Sequence, residues 1–240
     1  MKHFKFIYMK KIALLFLVIL FTASCSLQAQ KTFTGEITYK MSLEGTDDPN
    51  LIAGFESITP IITILGNKSK TVIKPNESFA ITQTWDGDKG TSSVVVEITG
   101  MGKYFKKMDA EQVKNKIKFN DYKYRYENEF LDILGYKCQK VNVTITNLED
   151  DTQTEKILYV TKDIGTAKLN GEEYPNLEGY PLRIVSSSKM LCEECEEVIF
   201  ATKITPKKIK PVDFLLPSDA KNIEEAPELK EMLKGLFGEE

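Results

Sequence analysis

Apolar and polar residues alternate along much of the chain with the period of two that a half-buried β-strand requires. The alternation appears over 36–43, again over 141–146, and again over 198–204. Further strands are predicted at 68–74, 79–85, 91–99, 103–108, 122–129, 155–163 and 181–190. Because short segments rich in Gly, Asp and Asn separate most of these strands, the pattern predicts an antiparallel meander.

Three segments carry a helical pattern instead. Residues 51–58 have apolar positions at helical spacing, and Asp109 is a candidate N-cap for a helix over 109–118. Pro227 suits the first turn of an amphipathic helix near the C-terminus, and Gly238 suits its end. The apolar face of that helix consists of Leu229, Met232, Leu233 and Leu236.

One domain is the simplest way to bury these apolar strand faces. The predicted fold is mainly β, a single curved antiparallel sheet or an incompletely closed β-barrel with a few covering helices. We assign 31–217 to this β-rich domain and 218–240 to a C-terminal amphipathic helix. The aromatic candidates to line an apolar cavity are Tyr39, Phe79, Phe105, Tyr124, Tyr159 and Phe200. Such residues also fill solid cores, and the sequence leaves both alternatives open.

The N-terminus has the three-part layout of a secretory signal. Four lysines precede an apolar run over 12–21, and small residues and Cys25 follow. Ala23-Ser24-Cys25 resembles a bacterial lipobox, which predicts a signal peptide over 1–25 and lipidation of Cys25. The alternative is ordinary cleavage after Ala29, which releases a soluble periplasmic protein. We favour the lipoprotein, whose acyl chains would anchor it to a membrane without a spanning helix.

Charge and histidine content exclude several classes of function. The formal charge is −3, and removing the four lysines of the signal segment leaves 28 Lys and Arg against 35 Asp and Glu, or −7. An acidic chain of this kind is a poor ligand for nucleic acid. Because His3 is the only histidine and lies in the signal segment, Ser-His pairs, Cys-His pairs and His-ligated metals are excluded. We predict no catalytic residue, no metal and no cofactor.

Cys192 and Cys195 have the spacing of a redox pair, of half a zinc site or of a short disulfide. Zinc sites need more ligands than the remaining cysteine, Cys138, supplies. The acidic residues between the two cysteines would raise the thiol pKa values, which disfavours redox chemistry. An exported chain favours a structural disulfide between Cys192 and Cys195, although pairing of Cys138 with one of them stays open.

Four short strings occur in a fixed order: Phe-Thr-Gly-Glu-Ile-Thr-Tyr at 33–39, Ile-Leu-Gly-Tyr-Lys-Cys at 133–138, Gly-Tyr-Pro-Leu-Arg-Ile at 179–184 and Phe-Leu-Leu-Pro at 214–217. Together they resemble exported proteins of the GLPGLI and related domain-of-unknown-function families. Those families look like relatives of the outer-membrane lipoprotein carrier (LolA-like) fold. The resemblance implies an open antiparallel barrel whose helices cover an apolar cavity, and it carries over no catalytic residue.

The leading hypothesis is a non-enzymatic protein of the cell envelope, in the periplasm or at the outer membrane. It would bind the acyl chain of a lipid or lipoprotein, or another apolar ligand, in a cavity of the curved sheet. The alternative is a membrane-anchored structural or protein-interaction module with no small-molecule ligand.

Overall fold

The computed structural model describes residues 33–188 and 191–233, which belong to one compact unit. The strands in chain order are β1 (Thr34–Glu44), β2 (Ile61–Leu65), β3 (Lys68–Asn76), β4 (Phe79–Asp86), β5 (Thr91–Ile98), β6 (Gly102–Met108), β7 (Asn120–Ile133), β8 (Tyr136–Asn147), β9 (Gln153–Thr161), β10 (Tyr180–Ser187), β11 (Glu196–Pro206) and β12 (Lys221–Asn222). The helices are α1 (Pro49–Glu56), α2 (Ala110–Ile117) and α3 (Pro227–Met232), with short 3-10 turns at Ala167–Asn170, Pro211–Phe214 and Ile223–Glu225.

These strands form one sheet in the order β12-β6-β5-β4-β3-β2-β1-β11-β10-β9-β8-β7. Strand pairs are antiparallel except for the two-residue β12, which runs parallel to β6. The sheet is open, because β12 and β7 are its two ends. The prediction of a mainly β protein with one large antiparallel sheet is therefore confirmed.

The two faces of the sheet follow from the pairing register, since cross-strand partners share a face and successive residues alternate. Tyr39 pairs with Ala201, and Met41 pairs with Ile199. We call the face that carries these residues the inner face. Lys40 pairs with Phe200 on the opposite side, which we call the outer face.

Chain segments outside the strands cover the inner face at two places. The connection between β9 and β10, residues 162–179, packs Tyr174 and Leu177 against Val143 and Leu158. Farther along the sheet, a cluster at the C-terminus packs against Val96 of β5. Its members are Ile223, Leu229 and Leu233. Each covering segment thus removes part of the inner face from water.

The two predicted internal helices are confirmed. Asp109 caps α2, where its carboxylate accepts hydrogen bonds from the backbone N–H groups of Glu111 and Gln112, both at 2.9 Å. The Gln112 side chain in turn accepts from the Asp109 N–H at 3.0 Å, which completes a capping box. Asp48 caps α1 in the same way, through the N–H of Asn50 at 2.9 Å.

The C-terminal segment contains the predicted helix with Pro227 in its first turn, but the residues before Pro227 are not part of that helix. Residues 221–222 form β12, a 3-10 turn follows, and the helix begins only at Pro227. Leu229 is buried as predicted, whereas Met232 is 64% exposed. Met232, which the apolar face was predicted to include, is therefore exposed, and Leu229 and Leu233 form the buried part of that face.

Several predictions concern residues outside the described ranges. They are the signal peptide over 1–25, Cys25, the alternative cleavage site after Ala29, Leu236 and Gly238. Among the helices that the structure describes, none is long and apolar enough to cross a membrane.

Candidate functional site

Three tyrosines of β7 hold the β9–β10 connection over the inner face. Tyr122, Tyr124 and Tyr126 lie two residues apart and therefore share one face of the strand. Their hydroxyl groups bond to the backbone of the connection as follows: Tyr122 donates to the Glu172 carbonyl at 3.3 Å, Tyr124 donates to the Pro175 carbonyl at 3.0 Å, and Tyr126 accepts from the Glu178 N–H at 2.9 Å. The second half of the connection is thus fixed to β7.

Asn170 folds the connection back on itself. Its Nδ2 atom donates to the carbonyl of Leu177 at 2.7 Å and to the carbonyl of Gly179 at 2.8 Å. The residue is only 9% exposed, and its Oδ1 atom has no hydrogen-bond partner in the protein. One end of this amide is therefore satisfied by the backbone, and the other end is not.

Trp85, the single tryptophan of the chain, lies against the same connection. Its indole Nε1 donates to the Lys168 carbonyl at 2.6 Å. Gly171 has φ +65°, and a Cβ atom at this position would lie 3.4 Å from Cδ2 of the indole ring. Glycine supplies this left-handed conformation without strain and lets the backbone approach the ring closely.

A cavity of about 360 Å³ lies between the inner face and the connection. Its volume is within the range of about 300–1,000 Å³ that is usual for small-molecule sites. The aromatic side chains of its lining are Tyr39, Trp85, Tyr174 and Tyr180, and the aliphatic ones include Met41, Ile62, Ile184 and Ile199. Most of the surface that the cavity offers to a ligand is therefore apolar.

The buried tyrosines of the cavity are neutral hydrogen-bonding groups. Burial raises the pKa of the Tyr39, Tyr174 and Tyr180 hydroxyls well above the ordinary value for tyrosine. The Tyr39 hydroxyl donates to the Pro181 carbonyl at 2.8 Å. These phenols stay protonated at any physiological pH, so they contribute no charge to the cavity.

The lining of the cavity also contains three carboxylates, which belong to Glu172, Glu173 and Glu197. Glu172 Oε1 lies 3.2 Å from Nζ of Lys116 on α2. Lys156 Nζ lies 3.4 Å from the Tyr174 hydroxyl. The cavity therefore combines an apolar lining with a group of carboxylates.

The six aromatic residues proposed from the sequence are not brought together. Tyr39 lines the cavity, and Tyr124 lies on the inner face beneath the connection. Phe79 packs in the cluster around Val96. Phe105, Tyr159 and Phe200 lie on the outer face.

The reason is that the face on which an aromatic residue lies depends on strand register. Phe200 pairs with Arg183, and Arg183 pairs with Tyr159, so all three share the face of Lys40. Irregularities in the pairing, such as the shift beside Tyr39, decide which residues reach the cavity. Residue type alone does not carry that information.

The residues that sequence reasoning missed belong chiefly to the β9–β10 connection. Asn170, Glu172, Glu173 and Tyr174 come from it, and Trp85 comes from β4. The one sequence feature that marks this region is the length of 162–179. It exceeds the roughly 12–15 residues above which structureless loops are uncommon and are usually functional or disordered.

The three described cysteines lie in two separate places, one in the core and two in a turn. A disulfide joins Cys192 and Cys195 in the turn between β10 and β11, with Cα atoms 5.1 Å apart. Cys138 is buried and carries a free thiol. Burial raises the pKa of this thiol to about 12, and Asp132 and Asp163 add to the effect.

The fold and the cavity define this chain as an open antiparallel sheet with a partly covered inner face. Its structure is similar to that of PNGF-II in the P21 crystal form, with a TM-score of 0.52 and 17% identity over 84% of this chain and 33% of PNGF-II. The C2 form of PNGF-II gives a TM-score of 0.54 and 16% identity over the same shares. The chain therefore spans 33% of the length of PNGF-II, and the similarity concerns the fold alone.

No protein-family model matches the sequence. No curated protein matches it either. The resemblance to the GLPGLI and lipoprotein-carrier families therefore stays a prediction.

Proposed function

We propose that this chain is a cell-envelope protein that binds the acyl chain of a lipid or lipoprotein, or another apolar ligand, in the inner-face cavity. Its role is binding, without catalysis. The observation that carries the proposal is the largely apolar cavity of about 360 Å³ beneath the β9–β10 connection. Burying a ligand there removes apolar surface from water, which contributes roughly 25 cal/mol per Å².

The size of the cavity separates it from an ordinary packing defect. Protein interiors have close-packed side chains and few voids larger than a water molecule. The backbone of the connection that covers the cavity is held by hydrogen bonds, from the Asn170 side chain within the connection and from the β7 tyrosines. A space supported in this way is what a preformed ligand site requires.

The envelope location rests on the predicted signal segment. Export would bring the chain into contact with lipids, and lipidation of Cys25 would keep it at a membrane. The disulfide between Cys192 and Cys195 supports this location, because disulfides persist in oxidising compartments such as the periplasm.

A neutral apolar dye, N-phenyl-1-naphthylamine, tests the proposal. Its fluorescence rises when it leaves water, and we expect saturable binding to the full chain at one site. Ile199→Trp, which fills the cavity, should weaken binding by about tenfold, equivalent to about 1.4 kcal/mol. Ile157→Trp is the matched control, because Ile157 precedes Leu158 on β9 and therefore lies on the outer face. Equal affinity of both variants would contradict the proposal.

One observation favours the alternative of an anchored interaction module. Within the described residues β7 pairs only with β8, and its far end carries the exposed apolar residues Phe130 and Leu131, with Leu134 beyond it. An unpaired strand edge of this kind accepts a strand from another polypeptide. This alternative replaces the first under two conditions. The dye does not bind, and a crosslinker at position 134 captures one discrete envelope protein that is no longer captured when Leu131→Lys is also present.

A further inference from the structure

We infer that the ligand of the inner-face cavity carries a positively charged ammonium group beside its apolar body, and that Glu172, Glu173 and Glu197 receive this group. The inference rests on the proposed function and adds the charge of the ligand. It draws on three features of the cavity: its carboxylates, its unpartnered oxygen atoms and the position of the neighbouring lysines.

The carboxylates lie within the apolar lining itself. The Glu172 side chain is only 12% exposed, with Oε1 paired to Lys116 at 3.2 Å. Its Oε2 atom is buried and has no hydrogen-bond partner in the protein. Glu173 and Glu197 line the same cavity and form no ion pair within the part of the chain that the structure describes. A buried carboxylate oxygen without a partner favours a ligand that donates a hydrogen bond to it.

Asn170 gives a second, independent indication of the same kind. Its Nδ2 atom is occupied by the two backbone carbonyls of the connection, and its Oδ1 atom is buried without a partner. Asn170 and Glu172 both line the cavity, and both unpartnered atoms are hydrogen-bond acceptors. A ligand that donates hydrogen bonds to these acceptors is favoured over one that cannot, and an ammonium group offers three donors.

The lysines near the cavity leave the balance of charge negative. Lys116 is engaged with Glu172, and Lys156 lies beside the Tyr174 ring, with Nζ 5.5 Å from the ring centroid. Three carboxylates thus face two ammonium groups. An anionic ligand such as a fatty acid would place a like charge beside these carboxylates, which disfavours it, whereas a cationic ligand gains an attraction.

Three probes of equal chain length separate charge from apolar binding: n-octylamine, 1-octanol and octanoate. At pH 7 octylamine is an ammonium ion and octanoate is an anion. Trp85 reports binding to the full chain, because it is the single tryptophan and lines the cavity. We expect the amine to bind about tenfold more tightly than octanoate, with the alcohol between them.

Variants then assign the preference to the cavity. The double variant Glu173→Gln and Glu197→Gln should reduce the amine preference to about threefold or less, as expected when two nearby charges are lost. The matched control is the double variant Glu149→Gln and Glu155→Gln, which changes the net charge by the same two units. Glu155 pairs with Thr144 on the outer face, and Glu149 lies exposed in the turn after β8. This control should leave the preference at its original value.

The outcomes distinguish the two proposals. Equal affinities for the three probes would overturn the inference and leave apolar binding intact. A preference that survives in the variant with Glu173→Gln and Glu197→Gln, or that is lost in the control with Glu149→Gln and Glu155→Gln, would assign the preference to general surface charge and overturn the inference. If no probe changes Trp85 fluorescence or displaces the dye, both the inference and the proposed function fail.

Discussion

Leu158 and Leu148 are the same residue type in opposite surroundings. Leu158 is fully buried on the inner face, and Leu148 is 56% exposed in the turn after β8. Leu158→Ala should lower the free energy of unfolding by about 2–5 kcal/mol, because it removes apolar contacts and leaves a cavity. Leu148→Ala should change it by less than about 0.5 kcal/mol. Urea unfolding of both variants measures the difference, and similar losses would contradict the assigned core.

Cys138 should be inert in the folded protein. The thiolate is the reactive form, and with a pKa of about 12 the buried thiol is almost entirely protonated at pH 8. Iodoacetamide at pH 8 should leave Cys138 unlabelled until guanidinium unfolds the chain, as peptide mass spectrometry would show. Rapid labelling of the native protein at pH 8 would contradict the burial of this residue.

At the scale of single residues, the sequence shows which reactive side chains the protein has more readily than it shows where each side chain lies in the fold. The absence of histidine outside the N-terminal segment and the spacing of Cys192 and Cys195 can be seen directly in the sequence. The place of Trp85 cannot, because it depends on Lys168 and Gly171 of a connection far away in the chain. Tyr39 and Phe200 differ in face only through the pairing of β1 with β11.

At the scale of elements, the tyrosine row of β7 should determine how firmly the β9–β10 connection is held. Replacing Tyr122, Tyr124 and Tyr126 together by Phe keeps the rings and removes three hydrogen bonds to the connection. Each bond contributes about 0.5–1.5 kcal/mol net. Amide hydrogen exchange over 172–178 should therefore accelerate by about tenfold or more, with the core strands unchanged.

Tyr104→Phe provides the control for this experiment. The Tyr104 hydroxyl donates to the Met101 carbonyl at 3.3 Å in the turn before β6, so its loss should leave exchange over 172–178 unchanged. If the triple variant exchanges at the original rate in that segment, the tyrosines do not hold the connection, and the cavity needs another support.

Elements with strong local patterns were predictable, and those that depend on distant partners were not. The capping residue Asp109 and the alternating strands identify themselves within a few residues of sequence. The sequence pattern did not predict β2, because Ile61–Leu65 is almost uniformly apolar and shows no alternation. The sequence pattern did not predict β12 either, because this two-residue strand is defined only by its pairing with β6.

At the scale of the whole molecule, the order of the strands was beyond the reach of the sequence pattern. Among the described strands, successive ones pair as a meander predicts within β1–β6 and within β7–β11, whereas β6 and β7 do not pair, β12 pairs with β6, and β1 pairs with β11. This pairing joins the two ends of the described domain and places Met41 beside Ile199, both of which line the cavity. The site therefore exists only in the complete sheet, which is why neither half of the chain indicates it.

The central claim is that the inner-face cavity holds an apolar ligand. The most direct test is native mass spectrometry of the chain purified without detergent from the envelope fraction of expressing cells, followed by solvent extraction. We expect one bound molecule per chain, an amine-bearing amphiphile that is absent from Ile199→Trp and present on Ile157→Trp. A bare mass that stays bare after incubation with envelope lipids would contradict the claim.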